Sequence, residues 1–77
     1  MYLIDLEKNQ KALIVKVNAS KPLKERFNAF GLIKGEELSI KGCSLGKQTI
    51  EVEVGGATLI ALRADEAEKI EVEPLTS

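Results

Sequence analysis

The sequence predicts a mostly β fold, a small barrel of about five strands with one short amphipathic α-helix and a helical turn before the last strand. Three observations carry that prediction. Short segments of alternating or β-branched residues recur along the chain, two of them are joined by consecutive glycines, and 77 residues leave room for one thin core only. Strands this short and few do not make two full sheets, but curling them into a barrel covers both the edges and the shared core.

Residues 12–17 form the first predicted strand. They are rich in β-branched side chains, and Leu13, Val15 and Val17 share one face while Ile14 falls on the other. Asn18-Ala19-Ser20 breaks the pattern. Ser20 is a helix N-cap, because its hydroxyl accepts a bond from a free backbone N–H of the first turn. Pro22 suits that turn, where its missing donor costs nothing. Leu23, Phe27 and Phe30 follow at helical spacing on one face of about three turns, with Lys24, Glu25 and Asn28 mostly opposite. Gly31 ends the helix with a left-handed residue, and the narrow apolar face is expected to lid one end of the sheet. Gly35 marks a turn.

Residues 37–41 alternate, with Leu38 and Ile40 inward, and residues 42–47 read as a loop. Residues 50–54 alternate again, with Glu51 and Glu53 toward water. Gly55-Gly56 permits the positive φ angles of a tight hairpin, and residues 57–62 return. Residues 64–67 make one helical turn, residues 70–72 a last short strand, and residues 74–77 a flexible tail. The chain, 1–77, reads as one domain.

Composition excludes several function classes. Lys and Arg number 11 against 12 Asp and Glu, a net charge of −1 with both signs interspersed. A binder of nucleic acid needs a clustered basic excess. The densest basic stretch, Lys21, Lys24 and Arg26, is interrupted by Glu25 and reads as a solvated helix face. Met1-Tyr2-Leu3-Ile4 meets Asp5 and Glu7 at once, unlike a secretory signal. No run approaches the ~20 apolar residues of a membrane span. With one cysteine there is no internal disulfide, which fits a reducing compartment, and the expected location is the cytoplasm.

Catalytic chemistry has little to work with. There is no histidine, which removes Ser-His-Asp and Cys-His catalysis and the commonest transition-metal ligand. One cysteine does not build a structural zinc site. Glu51 and Glu53 share a strand face, but an acid/base pair needs burial to shift its pKa, and a solubilising face explains them better. Gly31-Leu32-Ile33-Lys34-Gly35 follows a helix and lacks the Lys-Ser/Thr pair of a phosphate loop. Cys43 lies beside Gly42, with Lys41 and Lys47 nearby, and reads as a passive loop thiol. Tyr2, Phe27 and Phe30 are too few for the aromatic groove that binds proline-rich peptides or for a base-stacking platform. The chain is expected to be no enzyme and to need no cofactor and no bound metal.

Two segments resemble a known family. Residues 26–38, Arg-Phe-Asn-Ala-Phe-Gly-Leu-Ile-Lys-Gly-Glu-Glu-Leu, are similar to the R-L-x-x-L/M-G-L-x-P-G-x-x-I/V segment of the FeoA family. Residues 60–72, Ile-Ala-Leu-Arg-Ala-Asp-Glu-Ala-Glu-Lys-Ile-Glu-Val, are similar to its I/L-A-L-R-x-x-E-A-x-x-I-x-V ending. Leu3, Leu6 and residues 12–17 resemble its opening and first strand. The likeness covers nearly the whole chain in order and spacing. Departures are Phe27 for a leucine, Lys34 for the proline before Gly35, Asn9 for an opening glycine, and Ser44-Leu45-Gly46-Lys47-Gln48 where Pro-Leu-Gly-Asp-Pro is frequent.

The resemblance implies a stand-alone SH3-like barrel acting as a cytosolic accessory of ferrous iron uptake. Its partner would be the cytosolic part of an FeoB-like membrane transporter, which would hold it at the inner face of the membrane. Related domains end iron-dependent repressors of the DtxR type; this chain lacks their helix-turn-helix and metal-ligand regions and is expected to be the free form. The alternatives are a regulatory SH3-like interaction module, a weak metal-ion-binding protein, and self-association as a weak homodimer through strand edges. No nucleic acid is expected as partner. The expected docking surface takes in Leu23, Arg26 and Leu32 at the helix and Cys43, Leu45 and Lys47 in the loop. Arg26 and Arg63 either meet carboxylates of a partner or brace their own fold.

Overall fold

The structure, a computed structural model, describes residues 1–44, 46 and 48–75. A 3-10 turn at Leu3–Asp5 precedes β1 (Lys11–Val17), α1 (Lys21–Ala29), β2 (Glu37–Cys43), β3 (Thr49–Val54), β4 (Thr58–Arg63), α2 (Ala64–Ala67) and β5 (Ile70–Pro74). The strands form one antiparallel sheet in the order β4-β3-β2-β1-β5. The sheet wraps one core in the expected SH3-like manner, but β4 and β5 do not pair, so the barrel is open along that seam. The chain crosses the seam through α2. The outer edge of β5 is capped by the N-terminus, where Val72 N–H donates to the Met1 carbonyl at 2.7 Å and Tyr2 bridges Glu71.

Alternation places the core residues of most strands as expected. Leu38 and Ile40 of β2, and Ile50, Val52 and Val54 of β3, are buried with Phe27 of α1 and Leu62 of β4. In β1 both faces are covered, the Ile14 side more completely: Ala12 and Ile14 are fully enclosed, while Leu13, Val15 and Val17 are half-buried. A run that is apolar on both faces carries no sign of which face is inward, and a β-bulge between Ile14 and Lys16 interrupts the alternation.

α1 starts at the expected N-cap, Ser20, but the hydroxyl makes no capping bond; Lys24 N–H donates to the Ser20 carbonyl at 2.8 Å. Its C-terminus is a Schellman motif. Leu32 N–H reaches the Phe27 carbonyl at 2.9 Å and Gly31 N–H the Asn28 carbonyl at 3.0 Å, with Gly31 at φ +85°. The motif closes with its usual apolar contact, since Phe27 and Leu32 are both wholly buried.

Two boundaries differ from expectation. β2 continues through Gly42 and Cys43, which pair with Glu51 and Ile50 after a bulge between Ile40 and Gly42, so these residues are strand and not loop. A glycine reads as a breaker in sequence, yet it sits easily at a bulge. β5 continues to Pro74, opposite Ala12, and Leu75 N–H donates to the Lys11 carbonyl at 2.9 Å, so the tail begins later than expected. Proline is tolerated at such a strand end because no ladder donor is needed there. Thr76 and Ser77 lie outside the described residues.

The hairpin between β3 and β4 turns on Gly55 and Gly56, at φ +63° and +77°, and closes with Ala57 N–H on the Val54 carbonyl. A Cβ at either glycine would meet no atom within 4 Å, so the demand is purely on the backbone. Changing both to alanine is expected to cost about 2 kcal/mol, read as a lower urea midpoint at unchanged slope. A cost near zero would mean that the turn re-forms in another conformation.

Candidate functional site

Four of the six residues expected at the docking surface, Leu23, Arg26, Leu32 and Cys43, are among the described residues, and they differ in exposure. Leu32 is 0% exposed and belongs to the core, a correction that follows from its place in the Schellman motif. Leu23 is half-buried and packs against the core. Arg26 is exposed and engages its own fold: its Nη1 lies 2.6 Å from Glu66 Oε2, and its guanidinium stacks over the Phe30 ring at 5.6 Å. The internal brace expected as one of the two roles of Arg26 is formed. Leu45 and Lys47 lie outside the described residues. Cys43 is exposed at the end of β2.

Glu66 explains the brace. It is buried in α2, and its other oxygen accepts the Arg63 N–H at 2.9 Å. One carboxylate therefore holds the start of α2 and ties it to α1, 40 residues away in sequence. Charge-assisted bonds of this kind are stronger than neutral ones.

Cys43 borders a groove of about 340 Å³ between the N-terminal segment and β2–β3. Ile4, Leu6, Ile40 and Ile50 form its apolar walls, with Glu7 and Lys8 on the rim. Local geometry builds it. Asn9, at φ +68°, takes the left-handed conformation expected of a glycine substitute and turns the chain back. Its N–H donates to the Ile40 carbonyl at 2.6 Å, and Ile40 N–H donates to the Gln10 carbonyl at 3.3 Å, which clamps the segment beside β2. At the far end Ser44 and Thr49 exchange bonds: Ser44 N–H to the Thr49 carbonyl at 2.8 Å, and Thr49 N–H to Ser44 Oγ at 2.9 Å. Sequence reading missed Ile4, Leu6, Ile40 and Ile50 as a wall, because each reads individually as core. Only the register of Asn9 against Ile40 shows that they also face a hollow.

The carboxylates do not build a reaction centre. Glu51 is exposed, and Glu53 lies 3.7 Å from Lys41 in a surface pair. Among the described residues no three His, Cys, Asp or Glu side chains are gathered where they would hold a metal ion.

Known proteins share this sequence pattern and fold. Residues 1–74 match the model of the FeoA domain. A Campylobacter jejuni protein provisionally named Fe(2+) transport protein A is 47% identical over 72 residues, spanning 94% of this chain and 96% of its own. The FeoA protein of Chlorobium tepidum superposes with a TM-score of 0.91 at 30% identity, over 99% of this chain and 71% of its own. FeoA of Stenotrophomonas maltophilia, solved with zinc and described as an SH3 domain protein, gives 0.81 at 30% identity over 95% and 89%. A manganese-dependent transcriptional repressor shares the fold, with a TM-score of 0.86 at 16% identity over 96% of this chain and 40% of its own.

Proposed function

The chain belongs to the FeoA family of ferrous iron transport proteins, and on that premise we propose that it assists iron uptake by docking on the cytosolic part of an FeoB-like membrane transporter. The observation that carries this reading is the apolar groove beside Cys43. A preformed hollow walled by Leu6, Ile40 and Ile50, all buried, and by half-buried Ile4 accepts one large apolar side chain of a partner, the usual anchor of a protein interface. No described helix is long and apolar enough to cross a membrane, so attachment at the inner face would come through the partner. The likeness to the repressor domain supports a shared interaction fold and nothing finer.

The test is a titration of isotope-labelled protein with the transporter's cytosolic domain. Amide shifts are expected at residues 6–8 and 42–43, around the groove. Cys43→Arg, at an exposed position, places a charge on the rim and is expected to weaken binding by about tenfold or more. No shift at any amide at high partner concentration would sink the reading.

A further inference from the structure

We propose that the hollow between β1 and α1 is a second docking surface, one that takes an acidic, partly apolar segment of a protein partner. The hollow has a volume of about 590 Å³. Lys16 from β1, Lys24 from α1 and Lys34 from the turn after α1 line it, and no carboxylate does. Between them lie Val15, Val17 and Ile33, the last 46% exposed. All three lysines are exposed, and none joins the ion pairs of the described residues, Arg26–Glu66 and Lys41–Glu53. Glu71 stands opposite Lys16 in the ladder but does not line the hollow. In a chain whose acids outnumber its bases by 12 to 11, a lining with three cations and no anion is a local inversion of charge.

The shape and chemistry select the occupant. A concave surface fits an extended segment better than a flat bilayer. The valines, Ile33 and the lysine stems give an apolar floor, and the ammonium groups a positive rim. Three lysines lack the bidentate fork that recognises phosphate best, and no aromatic side chain lines the hollow to stack a base. Asn28, four residues after Lys24 on the same helix face, presents an amide to the backbone of an incoming segment. The bulge in β1 is what lets Val15, Lys16 and Val17 all line one hollow.

The inference rests on reading the chain as a docking protein, but it uses a surface other than the groove beside Cys43. Its test therefore uses a probe unrelated to the transporter. Labelled full-length protein is titrated with a short synthetic peptide rich in Glu and Leu. The expected result is saturable shifts at residues 15–17, 24–28 and 33–34, with affinity falling about tenfold or more from low to physiological salt. The Lys16→Glu/Lys24→Glu/Lys34→Glu variant is expected to abolish them while keeping the parent's circular dichroism; Lys→Gln at the same positions supplies the readout if the triple reversal does not fold. Unsaturated shifts spread over the surface, or undiminished affinity in the variant, would overturn the proposal. So would binding to phosphatidylserine vesicles in place of the peptide. Transporter binding at the other groove can succeed or fail independently of this outcome.

Discussion

Replacing Phe27 by alanine is expected to destabilise the protein by about 3–5 kcal/mol. Phe27 is 0% exposed and among the largest fully buried side chains. A domain of this length holds about 4–12 kcal/mol in all, so the loss takes a large share of the total. The position also carries more than volume. Phe27 is the C3 residue of the Schellman motif, its carbonyl accepts the Leu32 N–H, and its ring sits in the same core as Leu32. The cavity left by alanine therefore loosens both the helix end and the chain that follows. Phe27→Leu keeps most of the apolar contact and is expected to cost about 1 kcal/mol. Urea titration followed by circular dichroism measures both. A Phe27→Ala cost below about 1 kcal/mol would show that the core closes over the gap.

The second large effect is expected at the brace between α1 and α2. Glu66→Ala removes the acceptor of both Arg26 Nη1 and the Arg63 N–H. The Arg26 side chain is 51% exposed and can hydrate once released, so the expected cost is about 1–3 kcal/mol, below that of a fully buried pair. Arg26→Ala is expected to cost at least as much, because it strands a carboxylate that is only 7% exposed. Glu66→Gln keeps an acceptor for the Arg63 N–H and should fall between the parent and Glu66→Ala. Chemical denaturation of the three variants checks the ranking. If Arg26→Ala proves harmless, the ion pair contributes nothing net. The same asymmetry bears on binding studies: a weakened partner interaction in an Arg26 variant would reflect a strained α2 before it reflected a lost contact.

Much of the fold was legible in the residues. Alternation in β2 and β3, the paired glycines of the hairpin and the Ser20-to-Gly31 punctuation of α1 each follow from local backbone and burial physics. Parity in β1 was left open, and the extent of β2 and β5 was underestimated. Ala12 and Ile14 could not be told from Leu13 and Val15 as the buried set, since both faces of β1 are apolar. Gly42 and Pro74 looked like breakers, but pairing to Glu51 and Ala12 holds each in a strand. The two hollows were least legible, because their linings are brought together by long-range register. The helix positions Lys21, Lys24 and Arg26 were read as a solvated helix face. In the fold Arg26 leaves it for Glu66, while Lys24 joins Lys16 and Lys34 from other elements.

The seam between β4 and β5 gives the wall an uneven stiffness. Deformation concentrates where the ladder is missing, at the short helix that crosses from one margin of the sheet to the other. Behind the groove beside Cys43, β3 is bonded to β2 and β4, and Ile40 of β2 is bonded to Asn9 and Gln10 of the N-terminal segment. Under the proposed docking, a guest seated there meets walls already held by these bonds, so little ordering opposes its arrival. Its residence time is then governed by how well its own side chain fills the hollow.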